Sequence, residues 1–282
     1  MSGVGCRVSG VGCRVQIHDL PKPTPKTPNP KPQTPNPKPQ LRPIMPVHTL
    51  TIDHRLVSAR QGETVLDAAT EAGIAIPTLC YLNGISTVGA CRLCLVEVEG
   101  QGKLLPACVT VAAEGMVVQT HSDRLQRYRR TIVELLLAEG NHICAVCVAN
   151  GHCELQDLAV EMGIDHVELA YQFPDRPVDI SHPRFGLDHN RCVLCTRCIR
   201  ACDELEGVHT WDMAGRGRNS RLVSDLNQPW GEATSCTACG KCVHACPTGA
   251  LFYRGSTGGE MQRDPDRIGF IASAQKRQIA DF

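Results

Sequence analysis

Seventeen of the 282 residues are cysteine, and fifteen of these fall into four tight groups. They are Cys80, Cys91, Cys94 and Cys108; Cys144, Cys147 and Cys153; Cys192, Cys195, Cys198 and Cys202; and Cys236, Cys239, Cys242 and Cys246. A disulfide scaffold of that density belongs to short secreted chains that carry a signal peptide. The N-terminal MSGVGCRVSGVGCRV has no continuous apolar core of the kind a signal peptide needs. No run of about 18 apolar residues reads as a transmembrane helix either. Grouped cysteines in a reducing compartment, here read as the cytoplasm with or without peripheral membrane attachment, point to metal. Lysine plus arginine equals aspartate plus glutamate at 29 each, so the chain lacks the basic excess of a nucleic-acid coat.

The third and fourth groups each read C-x2-C-x2-C-x3-C. In that pattern three close cysteines wrap one face of an iron–sulfur cubane and the fourth reaches the other cluster. Cys192, Cys195, Cys198 and Cys246 are thus expected to hold one [4Fe–4S] cluster, and Cys202, Cys236, Cys239 and Cys242 a second. Pro247 follows Cys246 as the bacterial ferredoxin pattern has it, whereas Asp203 follows Cys202. Zinc sites usually use two separated C-x2-C pairs instead of one run of four.

The first group, C-x10-C-x2-C-x13-C, is similar to plant-type ferredoxin apart from its longer first gap. Residues 48–53 alternate like a strand. Gly62 precedes a short helix over 65–72 that ends at Gly73, 93–100 alternate again, and 115–120 supply a last strand. Strands around one helix with a cysteine loop predict a β-grasp domain holding [2Fe–2S] through Cys80, Cys91, Cys94 and Cys108. Gly84 and Gly89 are expected to let the loop backbone approach that cluster.

Residues 122–140 read as a helix with Ser122 as N-cap, Gly140 at its end, and Leu125, Tyr128, Ile132, Leu135 and Leu136 as its buried stripe. The second cysteine group follows, and three cysteines need a fourth ligand to hold a cubane. His142 leads and His152 is the other nearby histidine; a zinc site of three cysteines and one histidine is the alternative at this level.

Residues 1–44 are of another kind. GVGCRV is repeated around a serine, and TPNPKPQ occurs twice in a proline-rich run almost without apolar side chains. Such a stretch cannot bury a core and is expected to be disordered, with Cys6 and Cys13 as non-ligands. Strand-like sequence begins just after Met45, which makes Met45 the alternative start.

With these motifs in hand, the chain resembles the N-terminal part of the large iron–sulfur subunit of respiratory complex I and its relatives. IPTLCY at 76–81, GACRLCLVEVEG at 89–100, GHCELQD at 151–157, RCVLCTRCIRACDELEG at 191–207 and SCTACGKCVHACPTGALF at 235–252 carry the resemblance. HTWDMAGRGRNSR at 209–221, NQPWGE at 227–232 and the chain's extent narrow it to the HoxU-type small diaphorase subunit of bidirectional NAD(P)-linked [NiFe] hydrogenases. It spans essentially all of 45–282. In the wider superfamily the histidine precedes the second group as H-x3-C; here it is H-x-C, which leaves His142 less secure than the cysteines.

The resemblance implies an α+β chain: a disordered extension 1–44, a [2Fe–2S] ferredoxin-type domain 45–121, a His/Cys3 [4Fe–4S] segment 122–165, a double [4Fe–4S] ferredoxin-type domain 180–254 and a tail 255–282. It implies one [2Fe–2S] and three [4Fe–4S] clusters that pass single electrons. Their neighbours would be an FMN- and NAD(P)-binding diaphorase subunit and the small and large [NiFe] hydrogenase subunits. The residues agree: GRGRN at 215–219 is no dinucleotide fingerprint, no P-loop occurs, and no cysteine pairs remain for nickel. No nucleophile–base motif is present. His182, His189 and His209 read as structural or surface groups, and Arg216 and Arg218 as a solvated loop. Another NADH-linked complex, such as complex I or a formate dehydrogenase, and a free-standing multi-cluster carrier are the competing expectations.

Overall fold

A computed structural model describes residues 46–256, 261 and 263–280 of this chain. The expectations for residues 1–44, including Cys6 and Cys13, lie outside the described residues.

The chain opens with two strands, β1 (Val47–Ile52) and β2 (Arg55–Arg60), paired antiparallel with Leu50 opposite Val57. Asp53 and His54 join them, both at positive φ, the two-residue turn whose twist suits a hairpin. The helix α1 (Val65–Glu71) starts at a capping box in which Thr64 and Asp67 satisfy each other's backbone N–H. Three further strands follow: β3 (Leu95–Val98), β4 (Leu105–Pro106) and β5 (Val117–Gln119). The sheet order is β2-β1-β5-β3-β4, with β5 parallel to β1 and the other pairs antiparallel. Leu50, Ile52, Val96 and Val118 meet Val65, Leu66, Ala68 and Ala69 of α1 in one core, which includes Cys94 and Cys108.

The helix α2 (Asp123–Glu139) is capped by Ser122, whose Oγ accepts from the Leu125 N–H at 3.2 Å. Its buried face differs from the expected stripe. Leu125 is buried, Ile132 and Leu136 are partly buried, but Tyr128 and Leu135 face solvent. The inward positions are Leu125, Arg129, Val133, Glu134 and Ala138. Arg129 turns the helix: its Nε and Nη2 donate to the carbonyls of Leu93 and Leu95 at 3.1 and 2.8 Å, tying α2 to β3. After a single 3₁₀ turn at Cys144–Val146 comes α3 (Glu154–Glu161), which packs Leu155 and Leu158 against Leu79, Leu93 and Val133.

The C-terminal half is built on two short strands, β6 (Val178–Asp179) and β7 (Phe185–Asp188), and the helix α4 (Arg197–Leu205). A hairpin β8 (Trp211–Ala214) and β9 (Arg221–Ser224) follows, then α5 (Lys241–Ala245) and β10 (Leu251–Tyr253), which joins the sheet β10-β7-β6. The last helix, α6 (Asp266–Ala280), is no loose tail. Its Ile268 and Ala272 are buried among Leu82 and Ile85 of the first cysteine loop, Ala201 and Leu205 of α4 and Ala245 of α5. Gly84 of the cysteine loop also meets this helix. With φ at +96°, Gly84 gives room to this helix: a Cβ there would stand 2.9 Å from the Ala272 Cβ and 3.0 Å from the Gly269 Cα. No helix among the described residues is long and apolar enough to cross a membrane.

Candidate iron–sulfur sites

The two ferredoxin loops are built alike. Each runs from a cysteine pair into a short helix, and each holds two left-handed positions at matching places: Leu194 and Thr196 in one, Ala238 and Gly240 in the other. A β-branched threonine at φ +61° is a costly choice that only a constraining site maintains. These loops aim the cysteines inward. Cys192, Cys195, Cys198 and Cys246 line one hollow, together with Leu194, Met213 and Leu251. Cys202, Cys236, Cys239 and Cys242 line a second, with Phe185, Trp211 and Trp230. Each hollow thus gathers three cysteines from one loop and the fourth from the other, the interleaving expected from their spacing.

Around His142 the chain makes a third hollow, lined by His142, Cys144, Cys147 and Cys153 along with Leu155, Arg191 and Gly249. His152 is exposed and does not line it. Burial, aided by Arg191 and Arg176, pushes the His142 imidazole down to about 4, so it is neutral at physiological pH and keeps a lone pair for a metal. Gly249 closes the floor of this hollow, where a Cβ would stand 2.6 Å from the Cys147 Sγ.

In the N-terminal domain the four thiols meet as two pairs. Cys80 and Cys91 are in side-chain contact, and the Cys91 N–H also donates to the Cys80 Sγ at 3.4 Å. Cys94 and Cys108 form the other pair. The Cys91 contact, reinforced by nearby backbone N–H groups and opposed by burial, lowers the Cys80 thiol to about 5; contact with Cys108 lowers Cys94 to about 7. Cys91 and Cys108 are pushed well up by these same contacts and by burial.

The donor sets fit iron–sulfur clusters. Thiolates are soft ligands that suit such clusters. Burial raises Cys192 to about 11, Cys195 to about 12 and Cys242 further, so as bare thiols these groups stay protonated and only a cationic metal core makes them thiolates. Among the described residues no three His, Cys, Asp or Glu side chains converge as one bare ion requires. The cysteines of each hollow line one shared space, as the ligands of a single cluster do. Hydrogen-bond donors already face the sulfurs: Trp230 Nε1 donates to the Cys236 Sγ at 3.3 Å, and Cys242 and Cys202 take support from Trp211 and Thr210.

Several residues of these sites are not evident from the cysteine pattern. Trp211 and Trp230, the chain's only two tryptophans, pack edge to face with ring centroids 4.7 Å apart beside the Cys236 hollow. Both lie in the segments 209–221 and 227–232. His182 stacks on Phe185 at 4.8 Å and beside Trp230 at 4.9 Å, a structural place. Arg197 and Arg200, buried on α4 between the sites, had no signal beyond their position among the cysteines.

Comparison with known proteins follows the same division. Residues 46–123 match the 2Fe-2S iron-sulfur cluster binding domain. Residues 129–168 match the NADH-ubiquinone oxidoreductase-G iron-sulfur binding region, and 183–252 the ferredoxin-like domain of NADH-quinone oxidoreductase subunit 3. The NADPH-Fe(3+) oxidoreductase subunit alpha of Geobacter sulfurreducens is 37% identical over 206 residues, but this chain covers only 24% of its length. The NAD-reducing hydrogenase HoxS subunit gamma of Cupriavidus necator is 33% identical over 206 residues, covering 73% of this chain and 86% of that subunit. A chain in the crystal structure of an NAD+-reducing [NiFe]-hydrogenase in the H2-reduced state is 38% identical, with a TM-score of 0.71, covering 74% of this chain and 88% of that one.

Proposed function

The chain belongs to the family of the NAD-reducing hydrogenase HoxS gamma subunit, and from this premise we propose that it is the iron–sulfur electron-transfer subunit of a bidirectional, NAD(P)-linked [NiFe] hydrogenase. The observation that carries the reading is the match over 86% of the HoxS gamma subunit by a chain whose cysteines gather into the sets described. Cys80, Cys91, Cys94 and Cys108, on domain 45–121, hold a [2Fe–2S] cluster. His142, Cys144, Cys147 and Cys153, on segment 122–165, hold a [4Fe–4S] cluster. On domain 180–254, Cys192, Cys195, Cys198 and Cys246 hold a second cubane, and Cys202, Cys236, Cys239 and Cys242 a third.

When bound, such clusters supply one-electron exchange, here between an FMN- and NAD(P)-binding subunit and the [NiFe] hydrogenase subunits in the reaction H2 + NAD(P)+ = NAD(P)H + H+. The chain's own residues keep water from the buried thiols and donate hydrogen bonds to sulfur, both of which set potential. They include no nucleotide fingerprint, so flavin, nicotinamide and nickel are assigned to partner subunits, and the complex to the cytoplasm.

Anaerobic purification from the native host by a C-terminal tag, with mass spectrometry of what co-elutes, tests this. The expected result is a flavin/NAD(P) subunit together with nickel-containing subunits, and roughly 14 iron atoms per chain. A flavin partner with a different terminal enzyme, or elution alone with clusters intact, would overturn the hydrogenase assignment.

A further inference from the structure

Arg200, on α4, is only 6% exposed. Its guanidinium reaches out of its own domain. Nη2 donates to the carbonyl of Cys80 at 2.6 Å and to the carbonyl of Cys195 at 3.2 Å, and Nη1 donates to the carbonyl of Ser86. Cys80 belongs to the first cysteine group and Cys195 to the third. A single cation therefore touches the backbone of both.

A guanidinium remains charged in a protein interior, and a buried charge is costly without a counter-charge. Among the described residues no carboxylate lies within ion-pair distance of Arg200. The nearest acid, Glu204 one turn further on, spends its oxygens on the N–H and hydroxyl of Ser86. Among the described residues the Nε–H of Arg200 has no partner. Burial opposes its charge, and the sulfurs of Cys195 and Cys80, followed by Glu204, favour it. Arg197, the other buried arginine on the helix, also lies near Cys195 and Cys246, but its guanidinium is bound by Glu154 and reaches no group of the Cys80 loop.

Resting on the cluster assignment above, we propose that Arg200 is a shared electrostatic bridge between the Cys80 and Cys195 sites: its one positive charge raises the reduction potentials of the clusters held at both, while its fork of donors fixes the two cysteine backbones against each other. The physical reason is direct. Reduction adds negative charge to a cluster, and a fixed buried cation at both sites stabilises that added charge in each. The guanidinium makes no hydrogen bond to the Cys144 or Cys239 sites, so its effect there is weaker, although Cys202 follows it by two residues on α4.

The test is a redox titration of the purified holo complex followed by electron paramagnetic resonance, with signals assigned by single-ligand variants. Arg200→Met keeps the stem and removes the charge. Its expected result is a downward shift of the [2Fe–2S] midpoint and of the Cys192/Cys195/Cys198/Cys246 cluster midpoint, larger than any shift of the other two. Arg200→Lys keeps the charge and loses the fork, so its midpoints remain near wild type while its melting temperature falls. A residue that only holds the two loops together would lower stability without this pattern. The proposal is overturned if Arg200→Met retains wild-type midpoints with its iron intact, shifts all four midpoints alike, or is matched by Arg200→Lys. If the methionine variant loses iron, Arg200→Gln replaces it, neutral but still able to donate to the Cys80 carbonyl. Lowered midpoints there uphold the proposal, and unchanged ones overturn it. Absence of the signals from the wild-type complex would refute the cluster assignment, a separate failure.

Discussion

Glu154 and Arg197 form a two-point ion pair, with Nη1 donating to Oε1 at 2.6 Å and Nη2 to Oε2 at 2.8 Å. Glu154 follows Cys153 directly, and Arg197 sits between Cys195 and Cys198. The pair thus joins the His142 site to the Cys195 site through side chains one residue removed from proposed ligands. Arg197 is 2% exposed, so its charge depends on this partner, and Glu154 raises its pKa against the opposing effect of burial. Replacing Glu154 with alanine leaves the guanidinium buried and unpaired. The expected loss is about 2–3 kcal/mol, below the full cost of breaking a buried pair because water reaches the glutamate. Thermal unfolding of the holo protein checks it, with Glu154→Gln expected to fall between alanine and wild type.

Arg129 makes a second prediction. It is 1% exposed, and its two hydrogen bonds to Leu93 and Leu95 are what α2 offers the N-terminal sheet at that level. Burial lowers its pKa, yet the group keeps its charge. Arg129→Met fills the same space but leaves the Leu93 turn carbonyl and the Leu95 strand carbonyl unsatisfied, at an expected cost of about 3 kcal/mol. Because Leu93 and Leu95 flank Cys94, the [2Fe–2S] site should loosen with them. Chemical denaturation should give the stability loss, and faster bleaching of the cluster's visible absorbance in air should accompany it; unchanged values of both would contradict the role given to Arg129.

Gly249 tests the His142 site by shape alone. A methyl group there would stand 2.6 Å from the Cys147 Sγ and 3.2 Å from the Ala149 Cβ, inside any normal contact. Either Cys147 moves or the backbone does. Gly249→Ala is therefore expected to empty this site first and leave roughly 10 of about 14 iron atoms. Iron analysis of the purified chain reads this, and full iron content would show that the Cys147 thiol is free to yield.

What could be seen in the sequence divides along physical lines. The grouping of the cysteines was legible because spacing along the chain is itself the geometry: Cys192, Cys195 and Cys198 can line one hollow only from a tight loop, and the repeat of that loop implies the exchange of Cys202 and Cys246. The strands near 48–53, 93–100 and 115–120 followed from alternation, and α1 from the glycines Gly62 and Gly73 that bound it. The buried face of α2 did not follow, because hydrophobicity cannot announce that Arg129 would turn inward to meet the carbonyls of Leu93 and Leu95 while Leu135 faces water. Nor could local pattern place α6, whose partners Leu82, Ala201 and Ala245 are distant in sequence. The packing of α6 against Gly84 was hidden for the same reason, since the atoms closest to that glycine belong to that helix. His142 already led over His152 in the sequence, and the hollow is lined by His142 while His152 is exposed outside it.

A final prediction concerns pH and the seat of Trp230. Asp179 Oδ2 accepts from the Trp230 N–H at 2.7 Å, and Oδ1 accepts from the N–H and hydroxyl of Ser181 at 2.8 and 2.5 Å. Burial works against the charged carboxylate, but these hydrogen bonds outweigh it and hold Asp179 below the usual carboxylate range. A folded-state pKa below the unfolded one means the unfolded chain binds the proton more readily, so this contribution is complete above about pH 4 and is lost as pH falls through the folded value. Asp179→Asn removes the titrating group and weakens the acceptors. The variant should be less stable by about 1–2 kcal/mol at neutral pH. The difference between the two proteins should shrink as both are taken below about pH 4, where wild-type Asp179 also loses its charge. Paired melting curves from pH 7 down to the acid limit of each holo protein measure this, and any loss common to both through the clusters cancels in the difference. A gap that widened toward acid would mean that Asp179 is held protonated in the fold, the reverse of what its three donors require.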